Sequence, residues 1–326
     1  MTRSIRTLPG NRPADKSRLS RRRFLRVAVG AAEVAGAAAL GSALFPVFTA
    51  RSQQVSPEIT ATDLDGPLLF QGAGCNVVAL QGGDGALLID GGLAANADAL
   101  LRAVYAATGN DRIHTLINTH WHPEQIGANE AVGRAGGVIF AHENTRLYLS
   151  NAIYSGTGRR EPLPEIARPS ETTRGHGSLE FEGTRIDYGY LPQAHTDGDL
   201  YVHFPDRNVL VAGGVVSGER WPLLDYRNGA WFGGRVRALE WLAELVDPDT
   251  RVVPADGPLI TGRDVVRQRD IYRDLFETLI AYMNMGFGPE DAVAHNPLEQ
   301  HEAELGDPSA FLDGAYRSML IAYVPD

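Results

Sequence analysis

Residues 118–127 read "NTHWHPEQIG" and overlap the end of the apolar run "HTLIN" (114–118). That run predicts a strand, with His120 and His122 just past its end. In an extended chain, residues two apart point to the same side, so both imidazoles can reach one ion. H-x-H alone is a weak signature, because surface histidines are common. It gains weight from "AHTDGDLYVHFP" (194–205), where His195 closes one apolar stretch and "TDGD" turns the chain into the next. Three histidines and a water make the open coordination of catalytic zinc, which lowers the pKa of that water to about 7.

Outward from this stretch, short apolar runs alternate with turn signals. "NVVAL" (76–80) and "ALLID" (86–90), separated by "QGGDG", predict a hairpin. "AANADALLRAVYAATG" (94–109) has helical spacing and ends at Gly109. A helix is expected around Asn129, a strand at "GVIFA" (137–141) and a short helix from Glu143. Residues 151–175, rich in Gly, Pro, Arg and Glu, read as a loop. "SLEFEG", "TRIDYGYL", "LYVHFP", "NVLVAGG" and "RVVPA" then predict strands. "GGRVRALEWLAELV" (233–246), "TGRDVVRQRDIYRDLFETLIAYM" (261–283) and the tail "SAFLDGAYRSMLIAYV" (309–324) predict helices. The order gives one α/β domain over 56–326, built of two similar halves, each a sheet covered by helices.

Charge divides unevenly. The chain has 30 Lys and Arg against 40 Asp and Glu; ten of the basic residues lie in the first 51, beside only Asp15 and Glu33. The remainder is strongly acidic, which excludes a phosphate-backbone footprint and leaves a small molecule as the expected partner, with no nucleic acid. Lys16 is the only lysine, so the body has no Schiff-base or lysine-base chemistry. Cys75 is the only cysteine, so there is no intrachain disulfide or multi-cysteine cluster, and it reads as a small buried hydrophobe.

"SRRRFLR" (20–26) precedes an Ala/Gly/Val-rich stretch from Val27 to Ala50. It resembles a twin-arginine export signal over 1–55, which implies a periplasmic or other extracytoplasmic location. A membrane anchor would be less Gly- and Ala-rich, so membrane contact is expected only through an uncleaved signal.

"LLIDGG", "NTHWHPEQIG", "AHTDGDLYVHFP", "VLVAGGVVSG" and "VVPADGPLITGRD" are similar, in order and spacing, to the metallo-β-lactamase-fold hydrolase superfamily over about residues 65–265. The resemblance implies an αββα sandwich with metals at one edge of two sheets. It makes His120, His122 and His195 the first-metal ligands and gives Asp90 a supporting role through hydrogen bonds. The second-metal set departs from the family: Glu124 stands for the signature aspartate, Gln125 for a histidine, Gly214 for the bridging aspartate and Asp256 for the last histidine. One zinc per chain is the expectation, with Fe or Mn as alternatives. Glu124 and Asp256 then become candidates for proton transfer, or for a weak second site together with Gln125. Bland readings stand beside these: Glu124 as a helix-N-terminal carboxylate and Asp256 as a turn cap before Gly257. Trp221, Tyr226 and Trp231, in "ERWPLLDYRNGAWFGG" (219–234), either line a substrate pocket or pack the domain edge. The expected reaction is metal-dependent hydrolysis of an ester, lactone, amide or related carbonyl. The alternative is a non-catalytic metal- or ligand-binding protein, or an accessory to a redox enzyme, that keeps the fold.

Overall fold

The computed structural model describes residues 58–155 and 158–323; the expected export signal lies outside them. The first half runs β1 (Thr60–Asp63), β2 (Leu68–Gln71), β3 (Val77–Leu80), β4 (Ala86–Ile89), α1 (Ala97–Thr108), β5 (Ile113–Ile117), the short α2 (Pro123–Ile126) and α3 (Asn129–Arg134), β6 (Val138–His142) and α4 (Glu143–Ser150). A small hairpin of β7 (Ile153–Ser155) and β8 (Gly158–Arg160) follows, then β9 (Glu171–Thr173). The second half runs β10 (Gly177–Phe181), β11 (Thr184–Leu191), β12 (Asp199–Phe204), β13 (Val209–Gly213), α5 (Phe232–Leu245), β14 (Arg251–Pro254), β15 (Ile260–Thr261) and α6 (Gly262–Asn284). Helices α7 (Pro289–His295), α8 (Glu302–Leu305) and α9 (Ser309–Tyr323) close it.

Strands β1 to β6 and β9 form one sheet in that order, antiparallel up to β4 and parallel beyond. Strands β10 to β15 form the second, with β13 and β14 parallel. Side-chain alternation explains the layering. Val78, Leu80, Leu87 and Ile89 point between the sheets, where they meet Ile186, Val202, Val209 and Val211. Their neighbours Val77, Ala79 and Leu88 face the other way, onto Leu100 and Val104 of α1. Leu210 and Ala212 of β13 likewise face α5, α6 and α9 through Leu239, Leu275 and Phe311. Both faces of each sheet are therefore covered, which gives the four-layer αββα sandwich that the resemblance implies.

The region 151–175 is not the plain loop its composition suggests. Phe140 to His142 pair in parallel with Glu171 to Thr173, so a three-residue edge strand closes the first sheet. An edge strand needs only backbone partners on one side, and "ETT" carries no apolar alternation to announce it. Strands β1 and β15 escape sequence reading for the same reason.

Parallel pairing sets the functional edge. The C-terminal ends of β4, β5, β13 and β14 lie on the same side of their sheets, and the β11–β12 connection joins them: Leu200 N–H donates to the Thr119 carbonyl at 2.7 Å. Asp90, Thr119, His120, His195, Gly214 and Asp256 all leave strands at this edge.

Candidate metal centre

His120, His122 and His195 form a tight cluster whose candidate ligand atoms lie within 4.8 Å of one another. Their ring centroids are 4.7 to 4.8 Å apart and each pair is close to perpendicular. Among the described residues they are the one His/Cys/Asp/Glu group with this convergence.

Each ring has one nitrogen committed to the protein. Thr119 donates through Oγ1 to Asp90 Oδ2 at 2.8 Å, so that hydroxyl accepts from His120 Nδ1, 3.0 Å away. His122 Nε2 donates to Asp225 Oδ2 at 3.1 Å. His195 Nδ1 donates to the Leu223 carbonyl at 2.9 Å. These partners fix all three tautomers and leave lone pairs on His120 Nε2, His122 Nδ1 and His195 Nε2. The last two nitrogens are only 3.1 Å apart. Two lone pairs face to face repel unless a cation sits between them. The donor set therefore fits a divalent metal with imidazole affinity, and the carboxylate–histidine pairing at His122 is the usual outer support of such a site.

Electrostatics favour the same state. Burial, and then the neighbouring imidazoles, hold His120 and His195 well below the ordinary histidine value, so both stay neutral. Burial raises Asp90 to about 7, against the opposing bonds from Thr119. Asp199, which accepts the backbone N–H groups of His195 and Thr196 at 2.6 and 2.8 Å, is raised by burial to about 6. Asp90 reaches Thr119 because it adopts a left-handed conformation, φ 63°, which aspartate tolerates better than most residues.

The structure places the other expected site residues differently. Glu124 sits in the first turn of α2, and among the described residues no side-chain hydrogen bond or ion pair engages it. Gln125 is buried and its carboxamide oxygen has no partner. Asp256 forms an exposed ion pair with Arg220 and stands outside the histidine cluster. Its turn is pinned by Asn76, whose Nδ2 donates to the Pro254 and Gly257 carbonyls. Trp221 stacks on Phe311 and donates to the Gly306 carbonyl, so it packs against the C-terminal helices. Trp231 precedes α5, with the Arg237 guanidinium over its ring and Phe276 at its edge. Tyr226 opens a short 3₁₀ turn beside Gly314. Sequence reading missed Asp225 and the Leu223 carbonyl, which share the loop with these aromatics; a carboxylate in an aperiodic loop gives no pattern to single it out.

Gly214 closes the site from behind. A Cβ there would lie 2.1 Å from His195 Cδ2, so the backbone at 214 is packed directly against the ligand ring. A surface groove of about 630 Å³ lies elsewhere, between α6 and residues 297–301, and includes none of the three histidines. Side-chain chemistry, not cavity size, locates the centre.

Comparisons with known proteins bear on the family and the fold. The chain is similar to a linear primary-alkylsulfatase of Pseudomonas sp. (strain ATCC 19151), 21% identical over 269 residues, covering 69% of this chain and 50% of that one. A hydroxyacylglutathione hydrolase of Hyphomonas neptunium (strain ATCC 15444) is 28% identical over 117 residues, 35% of this chain and 39% of its own. The chain thus spans half or less of the length of these relatives. Among solved structures, the sec-alkylsulfatase Pisa1 from Pseudomonas sp. superposes with a TM-score of 0.62 at 14% identity, over 81% of this chain and 50% of that one. A metallo-beta-lactamase from Pontibacter korlensis gives 0.51 at 18% identity, over 67% and 94%. At such identities these superpositions speak for the fold alone. The metallo-beta-lactamase superfamily model matches residues 71–257, more than half of the chain, and the chain belongs to that superfamily.

Proposed function

We propose that this protein is a metal-dependent hydrolase that holds one zinc ion between His120, His122 and His195 and cleaves an ester, lactone, amide or related small-molecule substrate. The observation that carries the reading is the convergence of three imidazoles, each with one ring nitrogen engaged by an outer partner and the other turned toward the centre. An ion bound there makes a coordinated water acidic enough to attack at neutral pH.

The chain supplies the rest. Asp90 acts on His120 through Thr119, Asp225 on His122 and the Leu223 carbonyl on His195. Glu124, free of partners among the described residues, is the carboxylate we assign to accept a proton, whereas Asp256 is paired with Arg220. A single ion is favoured because a side-chain ligand projecting from position 214 would collide with His195. The basic and apolar N-terminal segment supports export of the folded protein to an extracytoplasmic compartment. Sulfate esters join the substrate panel because two of the relatives are named as alkylsulfatases.

The test is metal content of purified protein, followed by turnover of a panel of esters, lactones, thioesters and sulfate esters with and without chelator. One zinc per chain, chelator-sensitive turnover and its loss in His120→Ala are expected. Protein without a bound transition metal, or activity untouched by His120→Ala, ends the hydrolase reading; two metals per chain end the mononuclear one.

A further inference from the structure

Arg235 lies in the first turns of α5 and is completely buried. Its Nη2 donates to the Gly214 carbonyl at 2.7 Å and its Nη1 approaches the Leu223 carbonyl at 3.4 Å. The Tyr272 ring lies 5.9 Å from the guanidinium carbon, and Nε has no partner. Among the described residues no carboxylate forms an ion pair with it. A buried cation served mainly by carbonyls is an expensive way to fill space, and a hydrophobic side chain of similar volume is often neutral or better for stability. The guanidinium therefore calls for a role other than holding the core together.

The two carbonyls it reaches are the two backbone groups that control His195. Gly214 is packed against the face of that imidazole, and the Leu223 carbonyl receives its Nδ1–H. One rigid fork thus ties β13's end to the far side of the 217–231 loop, with the ligand ring held between them. We propose that Arg235 is a positioning residue for the metal centre: it fixes the seat of His195 and so aims the Nε2 lone pair. The inference rests on the three-histidine reading and deepens it.

Two physical effects predict opposite outcomes, which makes the proposal decidable. A charge acting only through space repels a dication, so removing it would tighten metal binding. A positioning role requires the reverse, because outer-shell partners of metal ligands typically contribute 10- to 100-fold in affinity. Arg235→Met keeps the volume without charge or fork; Arg235→Lys keeps the charge but cannot span both carbonyls.

The experiment is cobalt(II) titration of chelator-stripped wild type, R235M and R235K, read by competition with a chromogenic chelator and by the visible spectrum, with a thermal melt of each apoprotein. Cooperative melts are expected throughout, with cobalt affinity at least about 10-fold weaker in R235M, a smaller loss in R235K, and altered ligand-field bands in both. Affinities and spectra matching wild type, or tighter binding in R235M, overturn the proposal. Should R235M not fold, R235K decides alone, because wild-type affinity and bands in that variant remove the need for the fork. Wild type that takes up no cobalt instead defeats the three-histidine reading itself, so the two failures are distinguishable.

Discussion

Asp225 carries a precise burden for a loop residue. One oxygen accepts from His122 Nε2 at 3.1 Å, and both oxygens are held by Asn228 Nδ2 at 3.0 Å. Its own N–H approaches the His195 carbonyl at 3.4 Å, so the same residue touches two of the three ligands. Asp225→Ala should leave the fold intact, because among the described residues the side chain bonds only to His122 and to Asn228 of its own loop. It frees His122 to change tautomer, and metal affinity should fall about 10- to 100-fold. Competition with a chelator measures this; an unchanged dissociation constant would show that His122 is fixed by something else. His120 and His122 were legible in the sequence because the motif around His195 gave weight to an H-x-H that alone is a weak signature. Asp225, the Leu223 carbonyl and Arg235 were not, since backbone carbonyls have no sequence signature and a lone charged residue in a loop or helix usually faces solvent.

At the scale of elements, legibility follows burial. Strands β3 and β4, buried on both faces, and α1, with Leu100 and Val104 on one side and Gly109 at its end with φ 72°, could be read directly. Edge strands β1 and β9 could not, because their side chains are mostly exposed and follow no apolar period. The aromatic loop 219–234 offered two uses, and Trp221 packs on Phe311 because α9 follows far along the chain and covers that edge. Capping shows how an element can matter for stability and not for chemistry. Asp264 Oδ2 accepts from both Thr261 N and Oγ1 at 2.7 Å and closes the first turn of the 23-residue α6. Asp264→Ala should cost about 1 kcal/mol, with a melting shift of roughly 2–4 °C for a domain of this size. Cobalt or zinc affinity should not change. A weakened metal site in that variant would mean that α6 positions the centre more directly than its contacts indicate.

For the whole molecule, the buried titratable groups around the centre give stability a definite dependence on pH. His120 and His195 have native values well below the ordinary 6.5, chiefly through burial. Below about pH 6.5 the unfolded chain binds protons at these residues that the native chain refuses, so their contribution is full above that value and is lost on acidification. Asp90 and Asp199 work in the opposite sense: raised to about 7 and about 6, they bind protons in the native state that unfolded aspartates near 3.8 have released. Their contribution is full at low pH and is lost as pH rises through those native values. The two sets overlap between pH 4 and 7, so the wild-type curve alone cannot separate them. A difference measurement can. In metal-free protein, urea unfolding at pH 5, 6, 7 and 8 should show wild type losing more stability on acidification from pH 7 to 5 than His120→Gln/His195→Gln. The variant keeps the two aspartates and lacks the two imidazoles that charge only on unfolding. Parallel curves for the two proteins would mean that the histidines are protonated in the native state as easily as in the unfolded chain. That outcome would remove the preformed neutral state of His120 and His195 on which the metal centre depends.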